Sequence, residues 1–133
     1  EDFRAFVIGL LKRVKPGTTC YVLGAAGDEW YRCVGDMIVE YEKIRLEKKI
    51  KWKMVIYKLS SGEKKTLKDL PSLTDYRIIP NELKVPSNMN IWGDTVLLQI
   101  FGERPAIIEI KNKDLAAGYI NYFKLMWKQG KKI

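Results

Sequence analysis

Across 133 residues this sequence contains no histidine. Imidazole is the usual general base near neutral pH, so every Ser-His-Asp and Cys-His arrangement is removed at once. The two cysteines, Cys20 and Cys33, stand in apolar runs. A metal site needs three or four ligands at close spacing, so they read as small buried residues. The Asp and Glu side chains fall beside Lys on helix-patterned stretches or at cap positions, where ion pairs on a solvated face account for them. No catalytic residue, cofactor or metal is expected, and the chain is read as non-enzymatic.

Binding chemistry has more to work with. The stretch "GAAGDEW", residues 24–30, carries small residues from the end of a strand into a helix. Free backbone N–H groups at a helix start favour anions, and ligands of open α/β sheets gather at the carboxyl ends of strands. The stretch lacks the Lys-Ser/Thr pair of a P-loop and the three-glycine spacing of a dinucleotide fingerprint. A tight turn with no ligand therefore competes with a ligand contact through Gly24, Ala25, Ala26, Gly27 and Asp28. Tyr57 and Trp92 join these as candidates. Trp92 adjoins the polar turn Gly93-Asp94, where an exposed indole would suit stacking on a sugar. Trp52 and Tyr57 among Lys51, Lys53 and Lys58 could stack bases, yet Trp52 alternates with Met54 and Ile56 in a core-facing register.

The elements that hold these residues follow from periodicity. Phe3, Phe6, Val7, Leu10, Leu11 and Val14 recur at helical spacing until Pro16-Gly17 stops them. "TTCYVLGAA" reads as a buried strand. Asp28 is expected to cap a helix running to about Lys49, with Trp30, Val34, Met37, Ile38, Tyr41 and Ile44 on its apolar face. "IKWKMVIYK" is a second strand, at the right distance for a parallel crossover. "LSSGEKKTLKDLPSL" is a surface loop, "DYRIIP" a third strand, and "NELKVPSN" irregular between prolines. "MNIW" and "TVLLQIF" flank Gly93-Asp94, whose leading glycine suits a type II′ hairpin. "GERP" turns into "AIIEIK", and Val96, Leu98, Ile107 and Ile110 are expected to bury one sheet face. Asn112 or Asp114 caps a last helix striped by Leu115, Tyr119, Tyr122, Phe123, Met126 and Trp127, a core or dimer surface. The expected class is α/β: a mixed sheet of five or six strands with helices on its faces, the strands around Val22 and Val55 central.

Composition sets the wider bounds. Hydrophobic residues make up 47%, enough for one packed domain over residues 1–133. No apolar run is long enough to span a membrane and no cleavable signal pattern is visible, so a cytoplasmic location is expected. The formal charge of +8 is interleaved with Glu in "EYEKIRLEKKIKWK", which reads as a solvated surface. The competing expectation is a nucleic-acid-binding module acting through residues 45–58. Abundant Lys and Glu also fit a heat-adapted source. A helical pattern begins almost at Glu1, so a longer protein with sequence upstream is expected.

Residues 77–127, "RIIPNELKVPSNMNIWGDTVLLQIFGERPAIIEIKNKDLAAGYINYFKLMW", resemble the carboxyl-terminal domain of archaeal TrmB-like transcriptional regulators. The resemblance rests on Pro80, the Val85-Pro86 step, the "IWGDTV" hairpin, the Pro105 turn, the "IIEIKNKDLA" junction and "YFKLMW". It implies a phospholipase D-like fold and a regulatory domain preceded by a winged helix-turn-helix that reads DNA. It further implies a small-molecule effector, sugar or anion, and a homodimer. Catalytic members of the wider fold use a His-Lys-Asp motif, which a chain without histidine cannot supply, so a vestigial phosphodiesterase is the remote alternative.

Overall fold

The computed structural model describes residues 2–24, 27–57, 72–79, 87–100 and 103–132. Helix α1 (Asp2–Arg13) leads to strand β1 (Thr19–Leu23), followed by α2 (Gly27–Val34), a 3-10 turn (Gly35–Met37) and α3 (Ile38–Glu47). Strands β2 (Lys51–Tyr57), β3 (Thr74–Ile79), β4 (Ser87–Trp92), β5 (Thr95–Ile100) and β6 (Ala106–Lys111) precede the last helix, α4 (Lys113–Gln129). The six strands form one mixed sheet in the order β3-β2-β1-β4-β5-β6. β1, β2 and β3 are parallel, while β4, β5 and β6 run alternately antiparallel from β1. The expected class and the parallel crossover are therefore present. Both strands expected to be central lie inside the sheet.

Alternation along the strands sorts side chains onto two faces. On the front face Cys20, Val22, Trp52, Trp92 and Leu97 pack with Phe3, Val7, Leu10 and Leu11 of α1 and with Val34 and Tyr41 of the following helices. On the back face Leu23, Val55 and Ile79 pack with Phe123 of α4, and Ile91 and Val96 pack with Ala116. Among the described residues, one α-helix thus covers the back while three crowd the front. Ile107 pairs with Gln99 in register and lies on the front, not with Val96, Leu98 and Ile110. The expected single face was one residue out of phase at that position.

The long helix expected from Asp28 to Lys49 is two helices. Gly35 has φ +54°, and a Cβ there would stand 2.6 Å from Arg4 Nη2. Arg4 Nε also donates to Cys33 O at 3.1 Å, so α1 holds the chain open where a continuous helix would run. Asp28 lies within the first turn of α2 rather than ahead of it. Two cations fasten the front layer. Lys48 Nζ donates to Leu11 O at 2.7 Å, to Lys12 O at 3.0 Å and to Val14 O, taking up carbonyls left free at the end of α1. Arg45, fully buried, donates to Glu42 at 2.7 Å, Ile50 O at 2.9 Å and Ser72 O at 2.6 Å. Its guanidinium lies 4.4 Å from the Trp52 ring centroid.

Gly93 has φ +60° and Asp94 has no positive φ, the pattern of the expected type II′ turn. Asn112 is the cap of α4, its Oδ1 accepting from Leu115 N at 2.9 Å. From there α4 crosses the sheet diagonally. It starts beside Asp94, whose carbonyl accepts from Asn112 N, and ends with Lys131 bridged to Ile78 of β3. The stripe expected along α4 divides: Phe123 and Trp127 stack against each other on the sheet, whereas Leu115 and Tyr122 are exposed. Most of "LSSGEKKTLKDLPSL", residues 81–86 of "NELKVPSN", and the residues at 101–102 lie outside the described residues. β4 begins at Ser87, earlier than expected, which brings Asn88 into the sheet. No helix among the described residues is long and apolar enough to cross a membrane.

Candidate ligand-binding site

The exit of β1 is shaped by one close approach. Gly24 takes φ +75°, its N–H donates to Val55 O at 2.9 Å, and a Cβ would stand 2.8 Å from Tyr57 Cε2. Only glycine satisfies both the backbone and the ring lying against it. The structure thus brings together Gly24 and Tyr57, two expected contacts, at the carboxyl ends of β1 and β2. Burial and the neighbouring Tyr122 push the Tyr57 phenol above its ordinary value, so it is a hydroxyl donor at neutral pH. Gly27 and Asp28 open α2 directly after this exit. Ala25 and Ala26 lie outside the described residues.

Trp92 does not join them. It pairs with Cys20 at the opposite end of β1, roughly 13 Å of strand from Gly24. Nor is it exposed: at 4% it is a core side chain packed in the front layer. The turn beside it is solvent-exposed, but alternation turns the indole inward with Asn90 and Leu97. Its expected role as an exposed sugar platform is corrected accordingly.

What the sequence reading missed is a polar row on the same front face. Asn88 and Asn90 of β4 and Thr95 and Gln99 of β5 are all buried. Asn88 and Gln99 oppose each other in register, at 5% and 2% exposure. Asn88 Oδ1 and Gln99 Oε1 have no hydrogen-bond partner. Leu23 pairs with Met89, so this amide pair stands at the end of the sheet where Gly24 leaves β1. β1 is also the boundary between the parallel and antiparallel halves of the sheet, its carboxyl end lying beside the amino end of β4. Each orphaned buried acceptor costs about 1–3 kcal/mol. Alternate asparagines in a strand ordinarily mark a solvent face. The available signal was their shared phase with Trp92 and, across the hairpin, with Leu97.

Chemically the row offers two uncharged acceptors and calls for neutral O–H or N–H donors. Each carboxamide also carries an N–H2 donor, so the pair suits an uncharged group that both donates and accepts, such as a hydroxyl, and offers an anion no positive charge. Residues 45–58 offer less than their composition promised for nucleic acid. Arg45 and Trp52 are buried and Lys48 is engaged with α1, leaving neither the arginine nor the tryptophan free for a phosphate or a base.

No protein-family model matches the chain, and a search of curated proteins finds no match.

Proposed function

We propose that this chain is a non-catalytic effector-sensing and dimerising domain of the TrmB-like regulator type, with a phospholipase D-like fold. In the whole protein, DNA would be read by a separate winged helix-turn-helix, in the cytoplasm. The observation that carries the effector reading is the opposed, buried and unpartnered pair Asn88 and Gln99 on the front face beside the Gly24 exit, with Tyr57 closing the back of that exit from the other face. A fold built for stability alone would place apolar side chains there. Two amide oxygens favour a hydroxyl-rich neutral effector, a sugar rather than an anion. Such a ligand shifts the arrangement of paired domains only by its differential affinity for the two states.

Thermal unfolding with mono- and disaccharides, nucleotides, phosphate and sulfate tests the reading. A ligand at 100 times its dissociation constant stabilises by about 2.7 kcal/mol. The expected result is a shift with one class of sugar and none with the inorganic anions. A shift with anions alone would contradict the amide-based assignment.

A further inference from the structure

The two edges of the sheet are finished differently. The outer side of β3 is bridged by the chain's own end, Ile78 N donating to Lys131 O at 2.7 Å and Lys131 N to Ile78 O at 2.9 Å. Among the described residues no strand lies outside β6. Such an edge is a ready template for another strand. Because α4 runs diagonally away from β6, no helix among the described residues covers the back face near the far ends of β5 and β6. Ile108 is 48% exposed, and Ile100 is exposed beside it. On the flank of α4 that faces the Tyr57 end, Leu115 and Tyr122 are exposed as well. Exposed apolar side chains gathered on the same side of the sheet are a common mark of an interaction site.

We propose that this edge pairs with the β6 edge of a second copy of the chain, antiparallel about a two-fold axis through Ile108. The proposal rests on the dimeric part of the function above and gives it a surface. The register follows from hydrogen-bond parity. Asn112 N donates to Asp94 O, one step beyond the Thr95–Lys111 pair, so even-numbered residues of β6 turn their backbone groups toward β5. Odd-numbered residues then turn theirs outward. With the axis at Ile108, Ile107 faces Glu109 of the second copy and their outward groups bond reciprocally. Ile108 meets its own counterpart and Ala106 meets Ile110, all on the back face. Moving the axis to Glu109 would set two like charges opposite each other. The chosen register also brings the exposed Glu103 of one copy to the level of Lys113 of the other, and its inverse, giving complementary charge at both ends. A symmetric patch that complements itself in this way is what a two-fold dimer requires.

Light scattering coupled to size-exclusion, together with oxidation of an Ile108→Cys variant by oxidised glutathione, tests the proposal. Wild type is expected at twice the chain mass. Ile108→Lys, an exposed position, is expected to keep its circular dichroism and thermal transition but to weaken association by roughly 10-fold or more. Opposed residues of a non-hydrogen-bonded pair have Cα atoms about 4.5 Å apart, within disulfide range. Ile108→Cys is therefore expected to form a covalent dimer under conditions that leave wild type, with Cys20 and Cys33 only, unlinked. A monomeric wild type, or a dimer that survives Ile108→Lys and does not crosslink at 108, overturns it. A monomer that still gains stability from a sugar would sink the pairing and leave the effector reading standing. A dimer crosslinked through 108 with no ligand response would do the reverse.

Discussion

Gly24 and Arg45 show how single residues constrain this molecule in opposite ways. Gly24 combines a left-handed backbone with an aromatic ring against its Cα, so Gly24→Ala is expected to cost about 1–3 kcal/mol from strain alone, plus the clash with Tyr57. Urea unfolding of Gly24→Ala and of Gly24→Ala/Tyr57→Ala separates the two. The double variant should recover the contact part and retain the strain. A single variant within experimental error of wild type would show that the ring and backbone are not so constrained. Gly24 was legible in the sequence because a strand running into small residues signals a tight exit. Arg45 was not. It sits in a run of alternating Lys and Glu, and only the fold reveals that its guanidinium is sealed against Trp52 and three acceptors. The same limit hid Asn88 and Gln99, whose phase marks a face but cannot say whether that face is wet.

At the scale of elements, periodicity located the six strands seen among the described residues and the apolar stripes of the helices, because burial imposes a period of two or 3.6 on any sequence. It missed the break at Gly35, since the cause is a side chain from another helix. It left the stripe of the last helix open between core and dimer surface, and the structure divides it, since a helix lying obliquely on a sheet buries Phe123 and exposes Tyr122 on one flank. The closure of β3 by the chain's end rests on Asp75, which accepts from Lys132 at 3.1 Å, Arg77 at 3.2 Å and Tyr76 N at 2.8 Å. Burial pushes its carboxyl up, but the Lys132 and Tyr76 hydrogen bonds and the charges of Lys132 and Arg77 outweigh this and hold it below the ordinary range. A depressed carboxylate stabilises the fold above its unfolded pKa, about 3.9, and that contribution is lost as pH falls through the folded value. The bridge is therefore expected to weaken below about pH 4. Asp75→Asn should remove this part of the acid dependence, read as amide exchange at Ile78 and Lys131. The effect is modest because the carboxylate is partly exposed and screened by salt. Equal protection at Ile78 in wild type from pH 7 down to pH 3 would contradict it.

For the whole molecule, the sheet order places a polar exit at one end and, at one side, an edge that no strand among the described residues pairs, with an exposed apolar flank. The amide row spans β4 and β5, and β5 pairs with the β6 edge, so a ligand that orders the row acts on the strand next to the proposed dimer seam. The class and strand count were legible from sequence. The choice of buried face at the exit depends on the packing of α1, α2 and α3 and was not. The most direct test of the central claim compares urea unfolding of wild type and Asn88→Leu/Gln99→Leu, each with and without the sugar that most stabilises wild type. The double variant is expected to be more stable in the absence of sugar and indifferent to its addition. A double variant less stable than wild type, or one that gains the same stability from the sugar, would contradict it.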